Sequence, residues 1–173
     1  LPPDWREYNL LLVTTEAVRA DHVSFLGYER KTTPNLDVLA KDSLVMSRFY
    51  ATSAYTRFCL PSLLTSRYPS QIAWGRVPGK KLSIHASNPY LPEVLRDAGF
   101  ATGAIMSSFN LFTLDGEKWG FERGFQTYDS TVKVDHRGGT IQGFSATKQA
   151  ELAMKFVTEH ADDRFFLWIH FLE

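Results

Sequence analysis

At 173 residues the chain is long enough for one domain or part of one. Its 44% apolar content argues against disorder, and its 19 basic and 19 acidic residues balance, so no strong field favours nucleic acid or an anionic membrane. A single cysteine excludes an internal disulfide, and no apolar run approaches the roughly 18 residues of a membrane span. No signal peptide is visible, and the chain opens at Leu1 without methionine and stops at Glu173 inside an apolar run. Both ends read as cut from a longer protein.

Residues 1–6 form a lead-in with two prolines and a tryptophan. Residues 9–15, NLLLVTT, make a short apolar run rich in branched side chains, the pattern of a parallel strand buried on both faces. It ends in Glu16, followed by Arg19, Asp21 and His22. An acidic residue at the carboxyl end of a central parallel strand sits where such folds bind ligands. The competing reading is that Glu16 opens a surface helix. Arg19 and Asp21 are expected to pair and brace the turn. Residues 27–30 read as a turn, and Thr33 caps a helix starting at Pro34, with Leu36, Leu39 and Ala40 as its apolar face. Residues 44–50 alternate weakly and read as a strand or extended segment.

Residues 52–70, TSAYTRFCLPSLLTSRYPS, carry the chemistry. Hydroxyl and small residues lead past Thr56, Arg57 and Cys59 into an apolar segment, Leu60, Leu63 and Leu64, with Pro61 placed in the first turn of a helix. A nucleophile just before a helix N-terminus gains free N–H groups to hold an oxyanion and a dipole that favours negative charge. Tyr68 before Pro69 ends the segment. Residues 70–90 read as a long loop. Residues 91–98 form a short helix stopped by Gly99, and residues 100–106 a second buried strand with 107–110 at its carboxyl end. Residues 119–128 look like a packed aromatic loop. Residues 144–160 form the longest helix, with Ala150, Ala153, Met154 and Val157 on one face, and residues 165–172, FFLWIHFL, a third buried strand left uncovered at its edge. Strands alternating with helices indicate a doubly wound α/β sheet.

Five stretches, NLLLVTTEAVRADHVSFLGYERKTTPNLDVLA, FYATSAYT with PSLLTSRYPS, LPEVLRDAGFATGAI, GFERGFQTYDS and DRFFLWIHFLE, resemble the N-terminal part of the sulfatase domain of the alkaline phosphatase superfamily, in the family's order. The resemblance implies an α/β fold, a three-layer α/β/α sandwich with a mainly parallel sheet, of which residues 1–173 are the N-terminal part. It also implies a divalent metal (Zn, Mn, Ca or Mg) and nucleophilic attack on a sulfate or phosphate ester. Glu16 falls where the family has its first acidic metal ligand, and Thr56 falls at the nucleophile and metal-binding position. Cys59-Leu60-Pro61-Ser62 imitates the C-x-P-S-R pattern of true sulfatases, which convert the cysteine to formylglycine, but Leu63 stands in place of the arginine.

Two further departures bear on function. Thr15-Glu16 replaces the usual aspartate pair, and Ser107-Ser108-Phe109-Asn110 replaces a Lys-Trp-His motif. One Glu with a Thr nucleophile resembles the phosphoethanolamine and glycerol-phosphate transferases of the superfamily. The family's Asp-His ligands fall beyond Glu173. An extracytoplasmic or membrane-anchored protein is implied, with any membrane attachment outside these residues. Arg57 is a candidate for holding a substrate oxyanion, against a plain surface role. Thr56 competes with a helix-capping role, Cys59 with a small core residue, and His170 reads as a core histidine. The alternatives to a Thr-dependent phospho-ester enzyme are a formylglycine sulfatase using Cys59 and a non-catalytic binding module of the same fold.

Overall fold

The computed structural model describes residues 7–76, 82–108, 119–133 and 145–172. The 1–6 lead-in, residues 109–110 and His136 lie outside them. In chain order the elements are β1 (Leu10–Thr15), α1 (Pro34–Ala40), α2 (Thr56–Thr65), β2 (Trp74–Arg76), β3 (Leu82–Ile84), α3 (Leu91–Asp97), β4 (Ala101–Ser108), β5 (Thr127–Lys133), α4 (Ser145–Glu159) and β6 (Phe165–Phe171). Among the described residues β1, β6, β4 and β5 form one sheet in that order, parallel at every pairing, and β2 and β3 form a separate antiparallel hairpin.

The two-residue period of the strands sorts β6 onto two cores. Phe166 and Trp168 join Leu60, Leu64, Tyr90, Leu95 and Met106 on the side of α2 and α3. Phe165, Leu167 and Ile169 join Ala153 and Phe156 of α4 on the other. The three layers are therefore α/β/α, as the alternation of strands and helices indicates. No helix among the described residues is long and apolar enough to cross a membrane.

Several expectations are corrected. β6 is no edge: it lies between β1 and β4 with Phe165 through His170 buried. Among the described residues the edges are β1 and β5; in β1, Leu10, Leu12 and Thr14 turn inward while Leu11 and Val13 are 59% and 51% exposed. The helix on that face, α4, packs on β4, β5 and β6, and β1 lies beyond them. The inward face of α4 is Gln149, Ala153 and Phe156; Met154 is exposed.

Leu36 and Leu39 of α1 are also exposed, because α1 packs on the 3₁₀ turn Ser24–Leu26 instead of the core. The two are tied by Ser24 and Thr33 hydroxyls donating to Asp37. Residues 44–50 hold no strand. Within residues 70–90, expected as a loop, β2 pairs with β3. The 119–126 loop is packed as expected but continues into β5. Its Gly124 has φ +76°, and a Cβ there would run into the backbone of Pro92 and Glu93.

Gly103 of β4 lies under Phe156 of α4, where a built Cβ would come 2.5 Å from the ring. Overpacking at such a contact costs roughly 1–3 kcal/mol, so Gly103→Ala is expected to lower the unfolding free energy by that amount, read in urea as a lower midpoint with an unchanged m value.

Candidate functional site

The candidate residues lie at the carboxyl end of β1 and in the first turn of α2. β1 pairs with β6 in the register Thr14 to His170 and Thr15 to Phe171, and the Glu16 amide donates to the Phe171 carbonyl at 3.1 Å, extending the ladder by one rung. Ala17 then takes a left-handed φ of 57°. A residue with a Cβ in that region costs roughly 1–2 kcal/mol, and such strain is often held where function fixes the backbone. The turn places Glu16 at the sheet rim, partly exposed, with its Oε1 3.3 Å from Nε2 of buried His170. Burial holds the His170 imidazole below the ordinary histidine range, against the neighbouring Glu16 carboxylate, which pulls it up.

Next along the chain, Arg19 and Asp21 pair at 2.7 Å as expected, and His22 joins them, exposed, at 3.0 Å. Hydrogen bonds from Arg19 and His22 hold the Asp21 carboxyl well below the usual range. This triad braces the turn.

Helix α2 starts earlier than its proline suggests. The N-cap is Tyr55, extended at φ −109°, and Thr56 is the first helical residue. Pro61 is therefore inside the helix and buried, not in its first turn. Its missing N–H leaves no donor for the Arg57 carbonyl four residues back. Neighbouring hydroxyls bond the carbonyls one turn earlier, Ser62 to Phe58 and Thr65 to Pro61. Ser66, at φ 55°, closes the helix two residues before Tyr68. The Phe58 and Cys59 amides both donate to the Tyr55 carbonyl. The Thr56 and Arg57 amides precede any intrahelical acceptor and stand at the positive end of the helix. No side chain caps α2, and among the described residues the Thr56 hydroxyl has no hydrogen-bond partner. The capping role weighed for Thr56 is absent.

Thr14 and Thr15 of β1 and Cys59, Leu60, Ser62 and Leu63 of α2 line one cleft of about 700 Å³. Thr56 precedes Cys59 by three residues and so shares its helix face. Arg57, one residue on, borders a different cavity of about 180 Å³ with Phe58, Trp74, Trp119 and Phe121. Cys59 is half-buried and free.

Among the described residues no three His, Cys, Asp or Glu side chains gather into a metal cluster. Glu16 and Thr56 are oxygen donors of the kind a divalent cation takes, but a catalytic site generally needs three protein ligands. The residues present fit part of such a site.

Residues 8–173 match the family model described as Sulfatase. The chain belongs to the sulfatase family. It is similar to the N-acetylgalactosamine-6-O-sulfatase of Bacteroides thetaiotaomicron, 30% identical over 99 residues, which are 56% of this chain and 19% of that protein. The fold is that of the C-terminal periplasmic domain of EcEptC from Escherichia coli in complex with Zn (TM-score 0.70, 20% identity, 95% of this chain and 43% of that one). It is equally that of a phosphonate monoester hydrolase of Agrobacterium radiobacter (TM-score 0.72, 17% identity, 96% of this chain and 41% of that one). This sulfatase-family chain thus spans less than half the length of each of these three proteins.

Sequence reasoning passed over three contributors: Thr14, Trp168 and the left-handed Ala17. The first two were legible in part, since Thr14 is two residues from Glu16, and Trp168 two from His170, on strands of period two. Nothing in the sequence marks Ala17, because alanine has no preference for positive φ.

The strain at Ala17 gives a direct test. Glycine adopts that φ freely, so Ala17→Gly is expected to leave stability unchanged or raise it by up to about 1 kcal/mol in urea denaturation, whereas Ala17→Val destabilises.

Proposed function

We propose that this chain supplies Glu16 and Thr56 to the site of a metal-dependent hydrolase or transferase acting on sulfate or phosphate esters, with Thr56 as nucleophile and phospho-ester chemistry favoured. The observation that carries the reading is at the start of α2. The Thr56 hydroxyl has no partner among the described residues, and Thr56 lies one helical turn before Cys59, which lines the cleft with Thr14 and Thr15 of β1. That is the arrangement of an available nucleophile, and a helix cap would have spent its hydroxyl on the backbone.

Each residue has a definite task. Glu16 offers a hard carboxylate oxygen at the sheet rim. Thr56 Oγ1 gives its proton to solvent and bonds to the tetrahedral phosphorus or sulfur. The bond to the ester's leaving oxygen breaks, and that oxygen keeps the electron pair and takes a proton from solvent. The N–H groups of Thr56 and Arg57 face the charge that develops on the equatorial oxygens. A divalent cation (Zn, Mn, Ca or Mg), when bound, stabilises the Thr56 alkoxide and the charge on the attacked ester. The Arg57 guanidinium is assigned to an anionic group of the substrate. Further metal ligands come from outside residues 1–173 in this reading, and the whole protein is extracytoplasmic or membrane-anchored.

The second reading, a formylglycine sulfatase built on Cys59, is favoured by one observation, the place of Cys59 on the wall of the shared cleft. It is opposed by Leu63, which occupies the arginine position of the modification pattern.

The two readings separate by substitution in the intact protein, assayed with a phosphodiester and an aryl sulfate. Thr56→Ala is expected to lower turnover about a thousandfold or more, as loss of a nucleophile does, while Cys59→Ala keeps most of it. Glu16→Ala is expected to abolish both turnover and the metal dependence of the rate. Formylglycine at Cys59 by mass spectrometry, with loss of activity in Cys59→Ala alone, would transfer the nucleophile to Cys59.

A further inference from the structure

Beneath the cleft, three buried or half-buried side chains form a chain of hydrogen-bond contacts that ends at Glu16. The Trp168 indole donates from Nε1 to Thr14 Oγ1 at 2.9 Å. Thr14 Oγ1 lies 2.8 Å from His170 Nδ1 and 3.4 Å from the Ile169 carbonyl. His170 Nε2 lies 3.3 Å from Glu16 Oε1. Trp168 and His170 are 0% and 1% exposed, so water does not compete for these partners.

The direction follows from proton counting. An indole N–H only donates, so it takes a lone pair of the threonine and leaves the single hydroxyl proton for an acceptor. The nearer acceptor is Nδ1 of His170. A neutral imidazole that accepts at Nδ1 carries its proton on Nε2, and Nε2 faces the Glu16 carboxylate, which accepts only. The opposite tautomer would set the lone pair of a buried ring nitrogen against a carboxylate oxygen. The main chain is pinned as well. Gln149 of α4, 0% exposed, donates from Nε2 to the His170 carbonyl at 2.7 Å from the opposite face of the sheet.

We propose that Trp168 and Thr14 lock His170 in its Nε2–H form, and that His170 is a positioning residue which ties down Oε1 of Glu16 and presents Oε2 to a divalent cation. The metal part rests on the reading of Glu16 as a ligand; the tautomer part does not. Outer partners of this kind change metal affinity by about 10- to 100-fold.

Two measurements on the intact, metal-free protein test it, with circular dichroism confirming that each variant folds. Long-range ¹H–¹⁵N spectra of protein labelled at histidine are expected to show His170 as the neutral Nε2–H tautomer near neutral pH. In Thr14→Val, which keeps the side-chain shape and removes the hydroxyl, the Nδ1–H form is expected to appear. A wild-type spectrum of the Nδ1–H form or of the imidazolium, or an unchanged spectrum in Thr14→Val, overturns the lock.

Manganese(II) titration followed by electron paramagnetic resonance reads the second part. His170→Leu is expected to weaken Mn²⁺ binding about 10- to 100-fold. His170→Gln, whose amide nitrogen falls near the Nε2 position, is expected to recover most of the loss. Full affinity in folded His170→Leu, while Glu16→Gln binds weakly, overturns the positioning role. Full affinity in Glu16→Gln overturns the ligand reading and the metal part together, and the spectra still decide the lock.

Discussion

Parallel pairing of β1 with β6 is the constraint on which the rest depends. The register sets Thr14 opposite His170 and lets the Glu16 amide continue the ladder onto Phe171. Side chains alternate faces along a strand, so a slip of one residue would turn His170 and Trp168 toward α4 and Thr14 away from the cleft. The register is held by burial on both sides of β6: aromatic residues fill the α2–α3 side and Leu167 with Ile169 the α4 side. The same packing that stabilises the sheet therefore fixes the position of the carboxylate.

Several large apolar side chains at the edges of this core are exposed. Leu11 and Val13 of β1, Leu36, Val38 and Leu39 of α1, and Leu44, Phe49 and Tyr50 are all at least 48% exposed. The residues near the cleft are among them, and the chain covers 43% of the EcEptC domain it matches in fold. Glu16, at the carboxyl end of β1, thus stands at the border between a packed core and a face with little cover among the described residues.

The two residues of the proposed site are positioned in two different ways. Glu16 is fixed by tertiary contacts: a ladder bond, a strained Ala17 and a buried histidine. Thr56 is fixed locally, by the start of a helix whose end is set by Ser66 and whose interior tolerates Pro61. A helix start supplies N–H donors without a dedicated side chain, whereas a single carboxylate needs neighbours to hold its orientation.

The sequence by itself determined the α/β class, the sulfatase resemblance, the strands β1, β4 and β6, the α1, α3 and α4 spans to within a residue or two, and the Arg19–Asp21 pair. These follow from local signals: apolar runs, proline and glycine punctuation, and the spacing of opposite charges. It also named Glu16, Thr56, Arg57 and Cys59 as candidates through motif position. Only the tertiary structure decided that β6 is central and β1 an edge, because strand order is not written in any local pattern. The strand β5 and the β2–β3 hairpin escaped for the related reason that short or polar strands become strands by pairing. The start of α2 at Thr56 defied the proline rule because buried packing of Leu60, Pro61 and Leu64 outweighed the lost backbone bond. The link from Trp168 through Thr14 and His170 to Glu16 joins residues more than 150 positions apart. Such a contact exists only once the sheet has formed.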